Sequence, residues 1–322
     1  MPSAGPVAGS RSFLSRLRKG DDIARMITFL FAASVVLVTI LLVFELWQGS
    51  VLPRHKFGFN FFRTSVWDPI FDQVGARPFI YGTLVTAGVS LVIAVPLGIG
   101  AAIFLAELAP ARVSDTLEFF IDLLAAVPSV IYGLLGVFIV VPLMREYIQP
   151  ALKGTLGFLP LFQGPMYGVG FLTAGIVLAI MVIPYIISVS REVLLSVPRD
   201  QREAALSLGS TRWEATWKVV VPFARSGIFG SIFLALARAL GETMAVTMVI
   251  GNSPIISASL FSPGYSIAAV IANEFTEATG DLYLQSLIEL GLVLFLLTFI
   301  LNGLARLLIV ATSQRGSGMG NA

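Results

Sequence analysis

The 322-residue chain is 56% hydrophobic and only 12% charged, with a mean hydropathy of +0.88; soluble domains carry roughly a quarter charged residues, so a bilayer is the expected solvent. A formal net charge of +2 carries no nucleic-acid signature, and no nucleic-acid partner is expected. With no cysteine and one histidine, His55, the chain has neither a disulfide framework nor the means to build a His/Cys metal site, so thiolate chemistry is excluded and metal catalysis is not expected.

A basic segment, residues 1–25, carries Arg11, Arg16, Arg18, Lys19 and Arg25. Apolar blocks follow at about 26–47, 80–108, 117–143, 167–190, 228–251 and 283–311. Each is long enough, at ~1.5 Å per residue, to cross a ~30 Å hydrocarbon layer as a helix. The first block shares its basic opening with a signal peptide, but it is longer and runs on into "FELWQGSVLP", so it reads as a retained span. The fold class is all-α, a membrane protein of six transmembrane helices. Placing the amino terminus inside puts most of the 21 Lys and Arg residues on the cytoplasmic side, so both termini are expected there, in a cytoplasmic membrane.

The loop at 48–79 falls outside on this orientation. Its aromatic run "FGFNFFRTSVW" reads as an interfacial belt and a lid packed on helix ends, ahead of a docking surface for an outside protein. Pro96, Pro128, Pro142 and Pro184 lie inside apolar blocks, where a transmembrane bundle tolerates them as kinks.

Residues 196–226 form a cytoplasmic segment too polar for lipid. Within "REAALSLGSTRWEATWKVVVPFARSG" (202–227), Glu203, Ala204, Ala205 and Leu206 favour helix, Gly209 can end it, and Ser210 or Thr211 can cap a second helix that stops near Pro222. The pattern is a compact knuckle of two short helices. It resembles the EAA loop of ABC importer permeases: Glu203-Ala204-Ala205, then Gly209, then Val219, Val221 and Pro222, with valine where isoleucine and leucine are usual. That resemblance implies a coupling helix seated in a separate ATPase subunit, with Glu203, Ala204, Ala205, Gly209 and Pro222 in the coupling contact. No G-x-x-x-x-G-K-[ST] loop occurs in the chain, so ATP and Mg are expected in the partner and the chain itself is not expected to be an enzyme or to bind a cofactor.

Further on, "ARALGETMAV" (237–246) places Arg238 and Glu242 inside an apolar run. Counted from Gly227, Arg238 stands roughly 16 Å along a continuous helix, near the middle of a ~30 Å core. Burial there costs on the order of 2.5–3.5 kcal/mol. Glu242 is expected one turn further on the same face, where each charge partly neutralises the other. Intramembrane charges mark solute paths by default, and a guanidinium fork suits an oxyanion. A neighbouring carboxylate favours phosphate, which keeps a proton to donate near neutral pH, over fully ionised sulfate. Asp122 in the third block and Glu289 in the sixth are further acids expected to be buried.

"LLAAVPSVIYGLLG" (123–136) and "ARALGETMAVTMVIGNSPI" (237–255) are similar to phosphate-importer permeases of the PstC type, and the similarity runs from the first span to the sixth. It implies a type I ABC importer permease fold over residues 26–312, with a cytoplasmic tail at 313–322. It implies a substrate path with Arg238 and Glu242, beside which Thr243 and Ser129 are candidates, as are Thr247 and Asn252. The implied partners are a second, homologous permease in a heterodimer, an ATPase dimer and an extracytoplasmic phosphate-binding protein, all in membrane lipid. The rival readings are the same machine for sulfate or molybdate, a proton-coupled secondary transporter, and a phosphate-sensing scaffold.

Overall fold

The computed structural model describes residues 10–317, with side chains described for 23–307. The side chains of Arg11, Arg16, Arg18 and Lys19, and those of the tail from 313 onward, lie outside the described set. Among the described residues there is no strand, and six helices are long and apolar enough to cross a membrane. They are Ile23–Gln48, Arg77–Leu108, Ser129–Leu156, Phe171–Leu195, Arg212–Leu240 and Asp281–Leu307, here spans one to six.

Two spans are displaced from the sequence reading. The block read at 117–143 is divided. Residues Ala111–Ala125 form a separate amphipathic helix, and span three begins only at Ser129. Proline is the cause. Pro128 sits at ψ 139°, and its ring disfavours a helical Val127 before it, so one helix ends and another starts. Asp122 therefore lies on the amphipathic helix and is exposed, not buried.

Span five begins earlier than expected and also ends earlier. The helix from Arg212 was expected to stop near Pro222; it passes through. A π-turn at Thr216–Val220 lets the Val221 N–H reach back to the Thr216 carbonyl, widening the helix ahead of the proline, which has no N–H to place. At the other end the helix stops at Leu240, and a short helix, Met244–Val249, follows.

Spans two and four form the centre. Their crossing is close because small residues meet larger ones: a Cβ on Gly175 would fall on Val89, and one on Gly98 would fall on Ile186. Span four has 67% of its apolar window buried within the chain, whereas span one has 0%. Apart from its contact with span six near Leu46, span one thus presents its apolar surface outward, to lipid or to another protein. Around the Ser190 to Ser231 hydrogen bond, 2.7 Å between hydroxyls, span five joins span four. At one end of the bundle Ala102, Leu105, Leu194, Val197, Val220 and Ala224 seal spans two, four and five beneath the 199–220 knuckle. At the far end Phe61, Val74 and Phe79 pack on Tyr265, Ile267, Leu287 and Leu290, so the 48–79 segment is folded down on the helix ends.

Candidate functional site

Span five ends at glycine, the weakest helix former after proline, and Gly241 takes the C-cap. Arg238 stands in the last turn of that helix, while Glu242 lies in the link before Met244–Val249. The expected arrangement, one turn apart on a single helix face, is overturned by this break, and no ion pair joins the two among the described residues. Glu242 Oε1 accepts the backbone N–H of Ala245 at 3.2 Å, placing a carboxylate at the electropositive start of the short helix. Its other oxygen makes no hydrogen bond with the described residues.

Arg238 is exposed on the surface of the chain. Its guanidinium lies 5.8 Å from the ring centroid of Tyr185, the residue after Pro184 in span four. A cation at that distance from an aromatic face is attracted by the ring quadrupole. Tyr132 in span three is within electrostatic reach of the same charge. Its hydroxyl donates to the Leu124 carbonyl at 2.8 Å, closing the gap that Pro128 opens.

Ser129 opens span three, and the first turns of that span pack on the Met244–Val249 helix. A Cβ on Gly133 would press on Met248 and on the backbone of Ala245, so glycine permits the crossing. The break after span five and the break before span three therefore lie against each other. Thr243 Oγ1 donates to the Gly241 carbonyl at 3.3 Å, and Thr247 Oγ1 donates to the Thr243 carbonyl at 2.7 Å. Thr247 is thus committed to its own helix, and the long Thr243 bond is the looser of the two. Asn252 sits beyond the short helix at φ 49°, a left-handed position that asparagine tolerates, and faces outward.

The first helix and the turn of the knuckle are built as the sequence suggests, while its second helix is the start of span five. The helix Arg199–Ser207 carries Glu203 and Ala204 outward and Ala205 inward. Gly209, at φ 85°, closes it with two reverse bonds, Gly209 N–H to Leu206 O and Ser210 N–H to Ala205 O. Thr211 and Glu214 then cap each other's backbone to begin the next helix. Leu208 protrudes at the tip, 90% exposed. Pro222 lies within the helix that follows and is also exposed.

Three residues escaped the sequence reading. Tyr185 gave no signal beyond its place after a proline. Arg191, one position past the block read at 167–190, is buried near the end of span four, where it donates to Glu118 on the amphipathic helix and to Ser114 at 3.3 Å. Glu107, at the end of span two, pairs with Arg202 of the knuckle. Both ion pairs join positions far apart in sequence, which no local pattern reports.

Residues 94–313 match the family described as "Binding-protein-dependent transport system inner membrane component". Over 290 residues the chain is 46% identical to the "Phosphate transport system permease protein PstC" of Mesorhizobium japonicum, covering 88% of this chain and 89% of that one. It is 48% identical over 298 residues to the protein of the same name from Haemophilus influenzae, covering 91% and 94%. The "Probable phosphate transport system permease protein PstC" of Methanocaldococcus jannaschii is 39% identical over 293 residues, covering 89% and 92%. Among solved structures, an inward-facing MetNI methionine ABC transporter aligns with TM-score 0.54 at 15% identity, covering 77% of this chain and 99% of that one. A bacterial alginate ABC transporter aligns with TM-score 0.54 at 15% identity, covering 90% and 96%. These two speak for the fold, that of type I ABC importer permeases. The chain belongs to the binding-protein-dependent transport system inner membrane components, among the permeases named PstC.

Proposed function

We propose that this chain is a transmembrane pore subunit of an ATP-driven, binding-protein-dependent importer of inorganic phosphate, and that Arg238 receives the anion on its way through. The observation that carries the reading is a permanently charged guanidinium on an open face of the chain, beside a break in span five, in a sequence 46–48% identical to phosphate permeases. A charge in that setting is costly unless something polar passes or pairs with it.

Glu242 supports selection and not neutralisation. Anchored by the Ala245 N–H, it keeps one oxygen available to accept the proton that phosphate retains near neutral pH. The open face of Arg238 and the unburied span one both call for a second permease to complete the pore. At the other end, the knuckle with its protruding Leu208 suits a groove on an ATPase subunit, which would bind ATP and Mg. Movement there would pass to the pore through spans that behave as levers. Selection at high affinity falls to the binding protein, so Arg238 needs only a weak, well-aimed contact.

The test is phosphate uptake by the assembled complex in proteoliposomes. Arg238→Gln is expected to lower uptake about ten- to a hundredfold, the worth of a charge-assisted hydrogen-bond pair, and Arg238→Lys less. Sulfate and molybdate are expected not to compete. Full phosphate uptake by an assembled Arg238→Gln complex would defeat the proposal, and sulfate uptake at an equal rate would redirect it to another oxyanion.

A further inference from the structure

At the end of the molecule away from the knuckle, span one ends at Gln48 and the chain turns at Gly49 and Ser50 into the helix Val51–Phe57, which folds back onto span six. This brings Arg54 and Glu289 to the wall of one cavity of ≈ 350 Å³, with Trp47, Phe59, Phe62 and Leu296 among its other walls. Glu289 is only 4% exposed, and its Oε2 is buried without a hydrogen-bond partner. Arg54 Nη1 is in the same condition, although the guanidinium stacks over Trp47 at 3.7 Å from the ring centroid. Among the described residues no hydrogen bond or ion pair joins the two charges.

Two charged side chains that line one cavity without meeting each other, each with a buried polar atom left unpartnered, call for an occupant that serves both. The occupant must offer an acceptor to Arg54 and a donor to Glu289. It must also tolerate aromatic walls. Trp47, Phe59 and Leu296 are exposed on the apolar outside of the chain, so the cavity opens toward the acyl phase. A Cβ on Gly49, where the chain turns at the end of span one, would press on Ile288, so the neighbouring Glu289 lies level with that end of the span and near the headgroup layer of a bilayer.

We propose that this cavity is a seat for a zwitterionic phospholipid with a primary ammonium headgroup, its phosphate on Arg54 and its ammonium on Glu289. Charge complementarity selects this class. A choline headgroup carries the positive charge but no N–H for Oε2. A glycerol headgroup donates hydroxyls but leaves the carboxylate uncompensated. Free phosphate would satisfy Arg54 and be repelled by Glu289. The site is separate from Arg238, and the inference does not rest on the transport reading.

The experiment is native mass spectrometry of the full chain in the membrane complex with which it purifies, exchanged into nanodiscs with equal mole fractions of ethanolamine, choline and glycerol phospholipids. One ethanolamine lipid per chain is expected to be retained, about tenfold over choline, as one charge-assisted hydrogen bond predicts. Glu289→Gln is expected to remove that preference, and Arg54→Gln to remove retention of all three. Leu296→Trp, which fills the cavity and leaves both charges in place, is expected to abolish retention with the complex intact. Equal retention of the three lipids, retention unchanged by Leu296→Trp, or displacement of lipid by inorganic phosphate would each overturn the assignment.

Discussion

Arg202 of the knuckle holds Glu107 at the end of span two through two nitrogens, with Nη2 2.7 Å from Oε1 and Nε 3.2 Å from both carboxylate oxygens. The same guanidinium donates from Nη2 to the Leu194 carbonyl at 2.7 Å and from Nη1 to the Val197 carbonyl. One side chain therefore fastens the Arg199–Ser207 helix to spans two and four together. Only a planar fork with donors on three nitrogens can do this. Arg202→Ala would leave a Glu107 side chain that is 9% exposed without its cation, and is expected to cost about 2–4 kcal/mol. Arg202→Lys keeps the charge and loses the fork, so it should fold but transmit poorly. Thermal unfolding measures the first effect. The ratio of ATP hydrolysed to phosphate taken up measures the second, and is expected to rise in the lysine variant.

Tyr185 gives a milder handle on Arg238. The ring face, not the hydroxyl, holds the guanidinium, so Tyr185→Phe is expected to leave uptake within about twofold of the parent. Removing the ring with Tyr185→Leu frees the cation, at a loss of about 0.5–2 kcal/mol. Uptake should then fall about two- to thirtyfold, mainly through weaker apparent affinity for the loaded binding protein's cargo. Concentration dependence of uptake in proteoliposomes separates these outcomes.

The two glycines of span two at 82 and 88 should respond in opposite ways. A Cβ on Gly82 would fall on the backbone carbonyl of Tyr265, whereas one on Gly88 meets nothing within 4 Å. Overpacking against backbone costs about 1–3 kcal/mol, so Gly82→Ala is expected to lower the unfolding temperature. Gly88→Ala should be neutral or stabilising by up to about 1 kcal/mol, because alanine is the better helix former. Both are read from thermal unfolding of the purified complex.

Much of this was legible in the sequence where a single local signal suffices. Hydropathy counts six spans, because each contains a long apolar stretch, but it misplaces the third and fifth, whose ends carry charges. The knuckle is legible because Gly209 and the Thr211–Glu214 pair cap helices through neighbours in sequence. Arg238 and Glu242 stand out as charges in an apolar run. Their relationship does not: hydropathy continues through Gly241 into "TMVIG", so it cannot register that the helix stops at Leu240. It equally misses that Asp122 sits on a surface helix, since the run from 117 to 143 hides the boundary at Pro128. Arg202 with Glu107, and Arg191 with Glu118, meet only after elements distant in sequence have packed.

Tyr265 provides a pH test at the far end. Burial pushes its phenol up to about 12, with the nearby Glu274 charge adding to the rise against the hydrogen bond from Asn273. A raised pKa means the neutral form is favoured by folding. That contribution is complete below about pH 10 and is lost as pH rises toward about 12. Tyr265→Phe should therefore remove part of the alkaline loss of stability, beside a pH-independent cost of about 1 kcal/mol for the lost Asn273 hydrogen bond, as thermal unfolding across pH 8–11 would record.

One carboxylate fastens the middle of the 48–79 segment. Glu274 Oε2 accepts from Trp67 Nε1 at 2.9 Å and from the Tyr283 hydroxyl at 2.7 Å, so it joins the loop to the start of span six. Trp67 also stands edge-on to Phe79 at 4.8 Å between ring centroids. Deleting the carboxylate leaves two part-buried donors without an acceptor, at about 1–3 kcal/mol. Glu274→Ala is therefore expected to loosen the loop locally and expose the bonds around 64–74 to protease, while the spans stay assembled. Glu274→Gln retains a carbonyl oxygen that can accept from both, and should protect nearly as well as the parent. Trp67→Phe keeps the packing on Phe79 and loses one donor together with its bond, so its cleavage rate should fall between those of the two Glu274 variants. Equal cleavage in all three would mean that the apolar contacts of Phe61 and Val74, and not the carboxylate, hold the segment in place.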